Sequence, residues 1–302
     1  MIKVAVWGGG KIAAGELIRI LLLHPEVELI GIVSHSLQGE SVQNHHYGLK
    51  GEKEIRFVSN LDLSGLDVLF VAGEFPEELL AKIPESYSDL KVIGFDRDLI
   101  GNLAGSELTA PALSEIFRKN LVRGARYSFV ISPVASLILI SLFPLAKNLL
   151  LNKDITIEVQ SPLALSGVDK EKTEKEVSDI LSEIQNSFDE NIQINFLPSS
   201  EKRGMAMKCT LRCAVPLNEV EGLYEGIYDD HNFTFLTEGE VSVQDIAGTQ
   251  KCLIKLSKPN EETLVVESVA DPMMRGSAGD AVHAMNLLLG LYEKIGLSFR
   301  AV

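Results

Sequence analysis

Three consecutive glycines, Gly8, Gly9 and Gly10, separate an unbroken apolar run at residues 2–7 (IKVAVW) from a helix-like segment at residues 12–23 (IAAGELIRILLL). A continuous apolar run reads as a strand covered on both faces, the habit of a parallel sheet. A strand that ends on glycines and restarts as a helix admits few folds. Gly8-x-Gly10-x-x-Ala13 matches the loose dinucleotide fingerprint. In that pattern Gly8 permits the tight turn, Gly10 lets backbone approach a pyrophosphate, and Ala13 or Ala14 lets the helix pack close to the sheet. The helix start near Lys11 and Ile12 then brings N–H groups and a positive dipole end to the diphosphate. Lys11 adds a charge there or points into solvent. The alternative is a Rossmann-like layer kept for packing alone.

The same rhythm continues. A second strand follows in HPEVELIGIV, then a long polar loop at 40–52, a short strand in IRFVSN, a strand at 67–73 (DVLFVAG), a short helix in PEELLAKIP and a strand at 91–96. This predicts an α/β fold: a Rossmann-like parallel sheet with helices on both faces. ASLILISLFPLAKNLL is apolar all round and predicts a helix buried between layers. From about residue 153 the pattern becomes α+β. A charged helix carries an apolar stripe through Val177, Ile180, Leu181 and Ile184, and strands follow at AMKCTLRCAVP, FTFLTE, QKCLIKLSK and TLVVESVA. One final helix is expected over 277–297, with Ala278, Ala281 and Ala284 permitting close packing. The expected domains are 1–134, completed by helix 277–297, and 135–276.

The net charge is -14, from 42 acidic and 28 basic side chains. Such a field repels phosphate backbones and anionic lipid, which argues against nucleic-acid and membrane partners. A small anionic metabolite remains admissible, because a pocket can be locally basic. The three cysteines, Cys209, Cys213 and Cys252, form no disulfide framework and suit a reducing, cytoplasmic compartment. Cys209 and Cys213 read as buried strand residues.

The end of the second strand bears on the ribose. An NAD site usually places Asp or Glu there to hold the 2′-hydroxyl. This chain has Ser34, His35 and Ser36. No carboxylate repels a 2′-phosphate, and hydroxyls donate to one, so the reading leans to NADP with NAD still open. His35 stacks on adenine or is an ordinary surface histidine.

The order of these motifs resembles the aspartate-semialdehyde dehydrogenase and N-acetyl-glutamyl-phosphate reductase superfamily. The glycine turn with Gly15-Glu16-Leu17, HPEVELIGIVSHSLQG, DVLFVAG, KVIGFDRD, SPVAS at 132–136, ALSG at 164–167 and DPMMRGSAGDAVHAMNLLLGL carry the likeness along nearly the whole chain. The resemblance implies a two-domain fold, a second α+β domain that builds a homodimer or homotetramer, NADP(H), and oxidoreductase chemistry in amino-acid biosynthesis. That chemistry needs a thiolate to attack the carbonyl and a histidine to move the proton.

Here the family's Asn-Pro-x-Cys becomes Ser132-Pro133-Val134-Ala135, so Ala135 takes the nucleophile's place; aligning on the downstream helix moves the match to Pro133. The histidine that follows Arg-Gly in the aspartate enzymes corresponds to Met205, and the reductases' histidine corresponds to Leu197. The glutamine of the second-domain loop corresponds to Leu163. Ser132 and Ser136 lie nearby but lack an evident base; Cys209 is a surrogate nucleophile by position, and His45, His46 and His283 are the remaining bases. Arg203 and Arg275 match family positions beside the substrate, and either hold its anionic end or form salt bridges, with Asp271 a candidate partner. Three readings follow: a catalytically silent, NADP-binding relative; an active oxidoreductase on a semialdehyde, acyl phosphate, ketone or imine; or a non-catalytic interaction protein.

Overall fold

The computed structural model describes residues 1–103, 108–152, 155–161, 169–190, 192–199, 201, 203–297 and 300–301. Two compact units form: Met1–Ile131 with Ser277–Leu297, and a second built on Ser132–Gly276.

The first unit is a six-stranded, all-parallel sheet. Its strands are β1 (Ile2–Trp7), β2 (Val27–Val33), β3 (Val68–Val71), β4 (Lys91–Gly94), β5 (Thr109–Pro111) and β6 (Tyr127–Phe129), in the order β2-β1-β3-β4-β6-β5. The chain leaves β1 through helix α1 (Ile12–Leu23) to β2 on one side, then crosses to β3 on the other. The turn after β1 therefore sits where strand order reverses, the place where such sheets bind ligands. β1 and β3 bury nearly every side chain because helices cover both faces. α1 buries Ala14, Leu17, Ile18 and Leu21, the i, i+3, i+4, i+7 stripe its sequence shows.

Residues 40–52 are more than a loop: α2 (Val42–His45) and a 3-10 turn (Tyr47–Leu49) lie within them. IRFVSN does not form a strand. It contributes only two isolated bridges, Val33 to Val58 and Ser41 to Arg56, because polar residues interrupt the alternation a strand needs. Helices α3 (Glu77–Ser86), α4 (Arg97–Gly101) and α5 (Ser114–Val122) complete the crossovers.

The second unit starts with α6 (Pro133–Lys147), buried from Val134 to Ala146, as its all-round apolarity predicts. The phenols of Tyr224 and Tyr228 on α8 (Leu217–Tyr228) donate to the carbonyls of Ser141 and Ile140. The sheet contains β7 (Ile155–Gln160), β8 (Ile194–Leu197), β9 (Met205–Arg212), β10 (Thr234–Leu236), β11 (Cys252–Asn260) and β12 (Thr263–Ala270), in the order β10-β11-β12-β9-β7-β8. Its central pairings are antiparallel and its edge pairings parallel. α7 (Lys170–Ile184) buries Val177, Ile180 and Leu181. Among the described residues no helix is long and apolar enough to cross a membrane.

The final helix is shorter than expected. α9 spans Ala278–Leu288, not 277–297. Gly290 adopts φ 67°, and the Leu291 N–H bonds back to the Asn286 carbonyl, a left-handed stop that glycine favours. Ala278, Ala281 and Ala284 are all buried. α9 is tied to α5 by a polar chain. Ser114 Oγ lies 3.3 Å from His283 Nδ1, His283 Nε2 lies 3.1 Å from Glu293 Oε2, and Arg118 donates to Glu293. The hydrogen bond from His283, then that from Arg118, holds the Glu293 carboxyl down at about 2, against the opposing pull of burial. A depressed carboxylate stabilises the fold above its usual titration range and loses that effect as pH falls towards 2. Glu293→Gln is expected to cost about 2 kcal/mol at pH 7 and much less at pH 3, read by urea unfolding at both pH values.

Candidate functional site

Each glycine of the turn faces a different neighbour. Gly8 has φ 81°, and a Cβ on it would lie 2.5 Å from the Gly73 nitrogen at the end of β3. A Cβ on Gly9 would meet Ile32 Cγ2 at 2.2 Å, and one on Gly10 would meet Leu37 Cδ1 at 2.9 Å. The Gly8 and Gly9 N–H groups both bond to the Val33 carbonyl, and the Lys11 N–H bonds to the Gly8 carbonyl. α1 begins at Ile12 with Lys11 as its cap. Ala14 is fully buried; Ala13 is half-buried and Ile12 exposed.

The turn is open. A cavity of about 410 Å³ is lined by Gly8, Gly10, Lys11, Ser34, His35 and Ser36, among others. Lys11 lies along Gly73, its Cγ and Cε within 3.6 Å of where a Cβ would stand, and leaves the turn unfilled. Trp7 is buried against Phe75, with ring centroids 4.7 Å apart, and meets His35 edge-on at 6.1 Å. Beyond Trp7 and His35 a second cavity of about 630 Å³ opens onto Asn60, Leu61, Pro76 and Leu79. Its lining is mixed, with Asp62, Glu78 and Lys82 beside the apolar residues.

The SPVAS segment at 132–136 is largely buried. Ala135 and Ser136 are fully buried in α6. The Ser132 hydroxyl donates to Glu176 Oε2 at 2.9 Å. This carboxylate is 44 residues away in sequence and was not legible there. Gly276, with φ 66°, sits against the start of α6: a Cβ on it would lie 2.4 Å from Pro133 Cα. Met205 is fully buried and Leu197 half-buried. Leu163 and the ALSG segment at 164–167 lie outside the described residues. All three cysteines are buried, and burial pushes the Cys209 thiol up to about 12. Cys209 therefore supplies no thiolate at neutral pH. Native protein should leave all three thiols unmodified by iodoacetamide while the urea-unfolded chain labels fully, as counted by intact mass.

The arginines differ. Arg203 pairs with Asp271, which is fully buried and also accepts from the backbone N–H groups of Gly248 and Met273. A third of the Arg203 side chain stays exposed. Arg275 is fully buried, donates to Thr234 Oγ1 at 3.1 Å and lies over the Phe233 ring. Of the two, Arg203 is the one that reaches solvent.

The histidines are separated. His283 belongs to the buried Ser114–Glu293 chain. His45 and His46 sit on the glycine turn: His45 Nε2 is 2.9 Å from the Gly10 carbonyl and His46 Nε2 is 2.7 Å from that of Gly9. Burial pulls the His46 imidazole below its usual range. Among the described residues no three His, Cys, Asp or Glu side chains cluster to hold a metal.

Residues 3–97 match the family description "Semialdehyde dehydrogenase, NAD binding domain", and residues 167–271 match "Semialdehyde dehydrogenase, dimerisation domain". N-acetyl-gamma-glutamyl-phosphate reductase of Parabacteroides distasonis is 32% identical over 99% of both chains. The protein of that name from Bacteroides thetaiotaomicron is 31% identical, again over 99% of each. Among solved structures, aspartate semialdehyde dehydrogenase II from Vibrio cholerae, complexed with ASA, superposes with a TM-score of 0.69 at 14% identity, covering 97% of this chain and 99% of that one. Aspartate semialdehyde dehydrogenase with NADP from Candida albicans gives 0.66 at 13%, covering 98% and 99%. At these identities the structures speak for the fold.

Proposed function

Because the chain belongs to the semialdehyde dehydrogenase superfamily, among the N-acetyl-gamma-glutamyl-phosphate reductases, we propose that it keeps their dinucleotide site and has given up their thiol chemistry. The observation that carries this reading is the pairing of an open glycine cradle with a buried Ala135 at the nucleophile position.

The cradle suits a nicotinamide dinucleotide. The turn admits no Cβ at Gly8, Gly9 or Gly10 without collision. Packing against the chain itself accounts for those glycines; what supports a diphosphate is the open cavity that Gly8, Gly10 and Lys11 line. Ser34, His35 and Ser36 stand at the end of β2 in place of a carboxylate. Their donors and Lys11 favour the 2′-phosphate of NADP over the bare ribose of NAD. Asn60, Leu61, Pro76 and Leu79 would flank the base. NADPH, when bound, supplies a hydride; the chain's own part is to hold and orient it. Arg203 would hold the anionic end of a small metabolite, with Asp271 fixing its fork from behind.

The second unit's sheet has an outer face suited to a second copy of this chain. Leu197, Gln160, Ala206, Val269, Leu253 and Phe235 form one row across the strands, apolar except at Gln160. The next row reads Glu158, Lys208, Glu267 and Lys255. Alternating charges beside a mostly apolar row are self-complementary under a two-fold axis, and residues 167–271 match the dimerisation domain.

Mixing the protein with an acyl phosphate of N-acetylglutamate and NADPH tests the loss of chemistry. Intact mass should show no acyl adduct, and nucleotide absorbance should not fall at a rate above buffer. An adduct on any cysteine, or phosphate-releasing NADPH oxidation, overturns the reading.

A further inference from the structure

The structure leaves a question about the glycine turn: what holds its carbonyls. A turn that binds a diphosphate must aim its N–H groups at the ligand, and its C=O groups then need partners of their own. The Gly8 carbonyl takes the Lys11 N–H, and the Lys11 carbonyl takes that of Gly15. The carbonyls of Gly9 and Gly10 receive side chains: His46 at 2.7 Å and His45 at 2.9 Å. Among the described residues no hydrogen bond within the chain engages the N–H groups of Gly10, Ile12 or Ala13.

The two imidazoles are themselves held. They meet edge-to-face, with centroids 4.8 Å apart, and both pack edge-on against Phe57. Phe57 is buried and bonded through its backbone to Glu40 and Gly39. The His46 ring also lies against α1 where Gly15 leaves room, since a Cβ on Gly15 would stand 2.5 Å from His46 Nδ1. His45 lines the same cavity as Gly10, Lys11 and Ser34.

We propose that His45 and His46 are positioning residues of the dinucleotide site, clasping the Gly10 and Gly9 carbonyls through Nε2–H so that the turn presents its N–H groups to a diphosphate. This rests on the dinucleotide reading above. It makes the segment between β2 and β3 a working part of the site. It also assigns both rings the Nε2–H tautomer, because a carbonyl only accepts.

Two measurements test it. The first is nucleotide affinity. His45→Phe with His46→Phe keeps the ring packing and removes the donors; NADPH affinity should fall by about tenfold or more, the worth of one or two hydrogen bonds. His45→Gln with His46→Gln restores an N–H at a similar reach and should recover affinity to within about threefold. Gly15→Ala attacks the clasp from the other side: it pushes on the His46 ring while giving α1 a better helix former. It should weaken binding without lowering the thermal midpoint. The second measurement needs no nucleotide: ¹⁵N spectra of the imidazoles should show both rings protonated at Nε2. Phenylalanine variants that bind as tightly as the parent, or rings protonated at Nδ1, overturn the proposal. A parent protein that binds neither NADPH nor NADH, yet shows Nε2–H on both rings, defeats the dinucleotide reading while the clasp stands.

Discussion

Replacing Gly8 with valine is expected to abolish NADPH binding and to destabilise the first unit by roughly 2–5 kcal/mol, from left-handed strain of about 1–2 and overpacking of about 1–3. Gly8 holds φ 81°, a region that L side chains rarely adopt. Its neighbours decide the size of the effect. A Cβ would meet Gly73 N at 2.5 Å, Gly73 Cα at 2.8 Å and Ala72 C at 3.0 Å, all backbone of the segment leaving β3. A side chain could rotate away, but backbone anchored in a sheet cannot. Against a total stability of about 5–15 kcal/mol for a domain, this is severe. Gly51→Ala is the control. Gly51 has φ 97° with nothing within 4 Å of its Cβ position, so it bears the strain without the collision. Denaturant midpoints for the two variants should differ clearly, with the Gly8 variant lower. Equal midpoints would mean that β1 and β3 do not approach as described.

Gly276→Ala is expected to have a comparable effect on the second unit. The added Cβ would stand 2.4 Å from Pro133 Cα, 2.5 Å from Pro133 N and 2.7 Å from Ser132 C, at φ 66°. Here too backbone meets backbone. The start of α6 is further fixed by Ser132, whose hydroxyl and N–H both bond to Glu176 on α7. A shift of Pro133 would break that tie as well. The expected loss is roughly 2–5 kcal/mol, measured by urea unfolding followed through the second unit's tyrosines. A loss under about 1 kcal/mol would contradict the close approach.

The glycine turn was legible because its demands are local: a strand, a positive φ and a helix start lie within a dozen residues. α6 was legible for a similar reason, since a helix apolar on every face has only one stable environment. What the sequence hid depends on distant partners. Nothing in NHHYGLKG indicates that its two imidazoles reach carbonyls 35 and 37 residues earlier. No base for Ser132 is legible in its own segment because Glu176 arrives from another helix. Arg203 pairs with Asp271, whereas the Thr234 hydroxyl and Phe233 ring that meet Arg275 are marked by no motif. The early end of α9 did carry a signal. Gly290 follows the helix by two residues, and the apolar residues after it masked the stop.

Calorimetric titration of the native protein with NADPH bears most directly on the central proposal, that the glycine turn cradles a dinucleotide in a chain that does without the family's thiol. One site per chain, at micromolar affinity and about tenfold tighter than NADH, is the predicted result. Absence of any binding heat from either nucleotide at millimolar concentration would contradict it.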